Sequence, residues 1–429
     1  MRTRRVSPTL VAVPAVAALV LAAGESRTGP EPARVRGTPQ EEARLHGEYG
    51  LWVQESDDSM AVAWIAREPG AGYLRVLVDG RPVFQAETEP SSSHRAVFRK
   101  PAAASMTLQY GVLGDPEDEH ETVIYFDLPQ RPIQTEFENV DTIFVVGDVH
   151  GEYDRLTELF RNAELVDEEL RWTGGHSHLV LLGDLVDRGP DVVKTLWFLY
   201  ELERDAARRG GRVQVMLGNH EIMAMIDDTR YVSSKERLVA RFHGAEYWRL
   251  FDPRSSILGK WLASKPALIR IDDVLLAHGG VGPAYAGYSI PEFDDSLALF
   301  MSEDWFFRLA DTTAAYEPMD SVLLFRRIDF FFADNSVFWY RGYVATDTLA
   351  AVLNEVLDGF RSEIHVVGHT PVDSIRQTYD GALIAVDLEE AASQMLMLVR
   401  ASKSYERYRC SLSGPPQPLP LLELAGTER

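Results

Sequence analysis

The 429-residue chain is 45% hydrophobic and 25% charged, an ordinary composition for a globular protein with core enough for two or three domains. Its formal charge of −22 argues against nonspecific binding to nucleic acid or to an anionic membrane. A single cysteine, Cys410, excludes an intramolecular disulfide; with no activating partner in view it reads as a lone surface or half-buried thiol.

Residues 1–24 begin with Arg2, Arg4 and Arg5, continue as an apolar run from Leu10 to Ala23 and end in small residues. This is the layout of a secretory signal peptide, which predicts a periplasmic or secreted protein. The alternative is an uncleaved anchor, the one case in which membrane contact is expected; the short run and Pro14 within it disfavour a span. Residues 25–45, rich in Pro, Gly, Arg and Glu, predict a linker. Residues 46–130 hold about seven short alternating runs between turn signals such as "VDGRP", the pattern of a small all-β sandwich of the fibronectin or immunoglobulin kind. From Asp141 apolar strands alternate with amphipathic helices, which predicts an α/β domain over 141–400 with its sheets flanked by helices. Residues 282–340 interrupt that rhythm with aromatic and acidic runs and predict an inserted helical cap. Residues 401–429, Pro- and Leu-rich, predict an irregular tail.

Five strand ends in the α/β region carry polar residues that a buried strand does not otherwise favour: "GDVHG" (Asp148, His150), "GDLVDRG" (Asp184, Asp187, Arg188), "GNHE" (Asn219, His220), "AHGG" (His278) and "GHT" (His369). Ligands in open α/β folds bind at the carboxyl ends of strands. In an extended chain residues i and i+2 point the same way, so Asp148 and His150 can grip one ion. A lone histidine at such a place is more often structural, but five successive strand ends exceed coincidence. Leaving His220 aside, the set offers two carboxylates, one amide oxygen and three imidazoles, too many for one ion and right for two. Mixed O and N donors suit Mn, Fe or Zn. A shared carboxylate, Asp184, would hold the ions on the order of 3.5 Å apart. His176 and His178 precede their strand and read as loop residues; His243 and His365 lie outside the pattern.

These motifs resemble the calcineurin-like metallophosphoesterase superfamily, in its phosphoprotein phosphatase branch. "FWYRGY", "VVGHTP" and "AVDLE" are similar to the Shewanella-like phosphatases. The resemblance covers about 141–390 and leaves the β-domain out. It implies a fold of β-sandwich sheets flanked by helices. It implies one metal held by Asp148, His150 and Asp184, and a second by Asp184, Asn219, His278 and His369. Arg188 and Arg341 would hold phosphate oxygens, and His220, paired with Asp187, would protonate the leaving group. The Arg341 assignment rests on "WYRGY" alone, with Arg326 and Arg327 as competitors. The implied activity is a metal-dependent phosphomonoesterase that uses a hydroxide bridging two cations, acting on a phosphorylated protein (Ser/Thr or Tyr) or a small phosphomonoester. Two other readings compete. One is a dinucleoside polyphosphate or other phosphoester hydrolase, which typically has Asn at the position of Asp187. The other is a binding protein with a vestigial phosphatase domain. The aromatic runs "DWFF", "FFF" and "FWY" either stack on aryl phosphates or form the core of the cap.

Overall fold

The computed structural model of the protein describes residues 11–12, 50–126, 133–307, 309, 315–316, 318–402 and 404–419. The predicted signal segment, apart from Val11–Ala12, and the predicted linker lie outside them. Among the described residues no helix is long and apolar enough to cross a membrane.

The alternating runs form seven strands: β1 (Trp52–Glu55), β2 (Ser59–Gly70), β3 (Gly72–Val78), β4 (Arg81–Glu87), β5 (Ser91–Arg99), β6 (Ser105–Val112) and β7 (Glu119–Tyr125). Three of them make one sheet, in the order β1-β2-β5, and four make the other, in the order β4-β3-β6-β7. Asp79 and Gly80, both with positive φ, close the β3–β4 hairpin as the Asp-Gly signal requires. Inward residues such as Trp64, Leu74, Val76, Leu108 and Ile124 are buried, which is the period-two burial a sandwich needs.

The α/β region contributes two further sheets. After the short β8 (Glu136–Phe137), the first strand of the pattern is β9 (Thr142–Val146), followed by α1 (Tyr153–Asn162). Next come β10 (His178–Leu181), α2 (Val192–Arg208), β11 (Arg212–Val215) and α3 (Asn219–Met225). The second half holds β12 (Leu268–Ile271), β13 (Val274–Ala277), β14 (Ile364–Val367), β15 (Arg376–Thr378) and β16 (Leu383–Ala385). Two long strands close the chain, β17 (Gln394–Ala401) and β18 (Ser404–Ser411), with a two-residue β19 (Gln417–Pro418). One sheet runs β11-β10-β9-β17-β18-β19 and the other β15-β16-β14-β13-β12-β8. Their facing sides share a core of Ile143, Val145, Val180, Leu276, Val366 and Ile384. In the first sheet β9, β10 and β11 are parallel; in the second β13, β14 and β16 are parallel. The two trios converge on one edge.

The tail is not irregular throughout. Residues 404–411 pair with β17 over its whole length, with Tyr405 buried on one face of the strand and Cys410 on the other. Cys410 is therefore buried, and burial pushes its thiol up to about 11. Residues 420–429 lie outside the described region.

The predicted cap contains two long helices, Ile290–Ser302 and Pro318–Phe332. Phe300 stacks on Phe331 at 5.7 Å, and Phe293, Phe306 and Phe332 pack around that pair. The "FFF" run is the core of the cap. The sandwich leans on α2 through hydrogen bonds from Trp197 Nε1 to the Leu51 carbonyl (3.0 Å) and from the Tyr125 N–H to the Tyr200 hydroxyl (2.9 Å).

Candidate active site

The ends of five of the six parallel strands, β9, β10, β11, β13 and β14, place the site residues singled out in the sequence except Arg341, which lies just before a short helix, Gly342–Ala345. The turns that carry them are tight. His150, Asp184, Asp187, Arg188 and His369 all have φ between +48° and +68°, a region that non-glycine residues occupy at a cost and that clusters at functional sites. Close approach of two loops explains Gly218: a Cβ there would lie 2.2 Å from Asp184 Oδ1.

Asp184 is the hub. Its Oδ1 accepts the backbone N–H of His220 at 2.9 Å. Its Oδ2 lies 3.3 Å from His278 Nε2, 3.7 Å from His220 Nε2 and 3.9 Å from His150 Nε2. One carboxylate oxygen thus faces imidazoles on both sides. On one side, His150 Nδ1–H donates to the Val186 carbonyl (2.8 Å), which leaves Nε2 as a lone-pair donor. That Nε2 is buried with no hydrogen-bond partner among the described residues and sits 3.8 Å from Asp148 Oδ2. On the other side, His278 Nδ1–H donates to the Leu182 carbonyl (3.1 Å), and Nε2 meets Asn219 Oδ1 at 2.9 Å and His369 Nδ1 at 3.2 Å. His150, Asp184 and His220, and likewise Asp184, His278 and His369, are groups whose donor atoms lie within 4.8 Å of one another.

Charge follows this geometry. Burial opposes ionisation of Asp184, but His278 and His220 hold its carboxyl well below the usual range. Burial and the neighbouring Asp184 push Asp148 up to about 6. Burial, His220 and Arg188 push His150 down to about 3. Burial works against charge on His278, yet Asp184 and Asp148 lift it to about 9. The two carboxylates therefore demand positive charge between the imidazoles. A divalent cation meets that demand and requires neutral nitrogen donors, so the residues present fit the metals that the sequence implied.

Beside the hub, His220 Nδ1 meets Asp187 Oδ2 at 2.6 Å. Burial lowers the His220 pKa, but Asp184 and Asp187 raise it above the ordinary value. The exposed Arg188 reaches to 3.4 Å from His220 Nε2 and rests on the Tyr231 ring. Arg341 donates to the His369 carbonyl at 2.6 Å. Of its competitors, Arg327 pairs with Glu303 on the cap and Arg326 is exposed on the same helix, whereas Arg341 lies beside the cluster. His365 is buried in support: Nδ1–H donates to the Leu275 carbonyl and Nε2 accepts the Val281 N–H. His178 begins β10 rather than a loop and packs edge-on to Phe137. The cap's Trp339 meets His369 through a ring contact at 5.4 Å.

Sequence reading quoted "GNHE" without giving Glu221 a role. Glu221 is fully buried and accepts four backbone N–H groups: Asp184 (2.8 Å), Leu185 (2.7 Å), Val186 (3.3 Å) and Gly218 (2.8 Å). It ties the loop of Asp184 to the loop of Asn219.

Comparison with known proteins agrees with this architecture. Residues 142–386, more than half of the chain, match the calcineurin-like phosphoesterase family, and the chain belongs to it: it is a metallophosphoesterase, a hydrolase. It is 44% identical over 114 residues to Shewanella-like protein phosphatase 2 of Arabidopsis thaliana, a match covering 25% of this chain and 29% of that protein. It is 31% identical over 144 residues to the symmetrical bis(5'-nucleosyl)-tetraphosphatase of Vibrio campbellii, covering 33% of this chain and 46% of that protein. The chain thus matches less than half the length of either. Its fold is similar to the crystal structure of a cold-active protein-tyrosine phosphatase of a psychrophilic Shewanella species, with a TM-score of 0.65 at 24% identity over 87% of this chain and 99% of that one. That coverage is too large to leave out the sandwich, so the likeness of fold reaches beyond the sequence resemblance.

Proposed function

We propose that the chain is a phosphomonoesterase that uses two cations and acts on phosphorylated proteins, at Ser/Thr or Tyr, outside the cytoplasm. The observation that carries this reading is Asp184 Oδ2, set between imidazoles of two donor groups, with the His220–Asp187 pair beside it. Asp148, His150 and Asp184 would hold one ion; Asp184, Asn219, His278 and His369 would hold the other. Mn, Fe and Zn all suit these donors. Bound there, the cations supply a water ionised at neutral pH and a counter-charge for the phosphoryl oxygens.

The protein's own groups do the rest. Arg188 and Arg341 present guanidinium forks that match phosphate oxygens in geometry and charge. His220, held in one orientation by Asp187, carries a proton at Nε2 and delivers it to the departing alkoxide or phenoxide. The Vibrio likeness favours a second reading, hydrolysis of dinucleoside polyphosphates. Export rests on the N-terminal pattern of basic, apolar and small residues.

The test is hydrolysis of para-nitrophenyl phosphate with Mn²⁺ by the parent and Asp184→Asn, alongside diadenosine tetraphosphate. The expected result is activity in the parent that collapses in the variant, with the tetraphosphate a poorer substrate. A parent that far prefers the tetraphosphate by kcat/KM replaces the first reading with the second.

A further inference from the structure

Asp387 stands at the sixth strand end, and the roles above leave it without a task. It follows β16, which runs parallel to β14, the strand whose end carries His369. Its backbone packs directly on the residue before Asp148: a Cβ on Gly147 would come within 2.4 Å of the Val386 carbonyl oxygen and 2.9 Å of the Asp387 nitrogen. The Asp387 residue is only 3% exposed. Its main-chain carbonyl accepts the Val372 N–H at 2.9 Å, but no hydrogen bond or ion pair reaches its carboxylate among the described residues. After burial, the influences acting most on that carboxylate are Asp148 and then Asp184, both of its own sign. A buried carboxylate under the influence of two others, with no donor among the described residues, is a costly arrangement unless a cation sits among them.

The two proposed metals are unequally served. Three protein donors address the first, Asp148, His150 and Asp184, whereas four address the second. Asp387 is on the side of Asp148. We propose that Asp387 is a further carboxylate of the metal centre, serving the ion held by Asp148, His150 and Asp184 either directly or by orienting its surroundings. The proposal rests on the two-cation reading given above.

The experiment uses metal-free full-length protein and Asp387→Asn, titrated with Mn²⁺ by calorimetry, with bound metal counted after desalting. The expected parent binds two ions. The variant keeps one at parental affinity and binds the other about 10- to 100-fold more weakly. Metal-free Asp387→Asn unfolds at or above the temperature of the metal-free parent, because an amide replaces a carboxyl whose ionisation burial and Asp148 oppose. Two ions bound at parental affinity by the variant overturn the assignment of Asp387 and leave the two-cation reading standing. Metal-free variant unfolding several degrees below the parent also overturns it, by making Asp387 a structural residue. A parent that binds fewer than two ions overturns the two-cation reading and the assignment with it.

Discussion

Replacing Glu221 by Gln tests whether the hub is held from below. Each carboxylate oxygen of Glu221 serves two N–H groups: Oε1 takes Leu185 and Val186, and Oε2 takes Asp184 and Gly218. A glutamine keeps one carbonyl for one pair and turns an NH₂ on the other, stranding two buried donors. At about 1–3 kcal/mol for each unsatisfied buried group, the loss is about 2–6 kcal/mol. Part is offset, because burial and then Asp184 push the Glu221 carboxyl up to about 7 and a neutral amide escapes that penalty. The net expectation is destabilisation of about 2–4 kcal/mol, read by urea unfolding of metal-free protein at constant m-value. Mn²⁺ affinity should fall together with stability, since the Asp184 and Asn219 loops lose their common tie. An E221Q protein within about 0.5 kcal/mol of the parent, binding metal equally well, would refute the reasoning.

Asp187→Asn should lower kcat for alkyl phosphates by about 10²–10³-fold but affect para-nitrophenyl phosphate less than about tenfold, because a good leaving group needs no proton from His220; equal losses on both would count against the acid role. Glu236 is buried with Oε1 accepting the Val192 N–H at 3.1 Å and Oε2 without a partner among the described residues, and burial pushes its carboxyl up to about 8. The folded protein keeps that proton where the unfolded chain, with a value of 4.5, has lost it, so stability falls as pH rises from about 4.5 to 8. Glu236→Gln should therefore gain on the parent progressively across that window in thermal melts, and parallel pH curves would dismiss the idea. Stripping metal with EDTA should lower the unfolding temperature reversibly, and free Mn²⁺ at about 1,000 times Kd should restore about 4 kcal/mol per site; a melt unaffected by chelation would show that metal contributes nothing to the fold.

The strand-end chemistry was legible because glycines fence polar residues at the close of apolar runs, and β9, β10, β11, β13 and β14 end where those runs stop. The seven-stranded sandwich was legible from alternation and from Asp79-Gly80. Strand β18 was missed because "SYERYRCS" sets Arg407 and Arg409 on the same face as Tyr405, and Glu406 on the same face as Cys410, so neither face reads as apolar. Glu221 and Asp387 were missed for a different reason. Their significance lies in partners from distant loops, or in the lack of any partner, and neither leaves a local pattern. Trp339 and Tyr231 are similar: nothing in the spacing of aromatic residues distinguishes one that touches a histidine of the cluster from one that fills the cap.

The proposed metal donors come from both sheets, and β17, the strand that pairs with β9 in the middle of the first, lies at residues 394–401. A chain leaving the ribosome from its N-terminus presents Asp148 long before His369, and His369 before β17. At roughly 5–20 residues per second, the interval between the first donor and the completed sheet is roughly ten to fifty seconds. During that interval the nascent chain adds its donors one after another, His369 last, while the first sheet is still unfinished. The order of strands in the sequence thus withholds the complete donor set until most of the chain has been made.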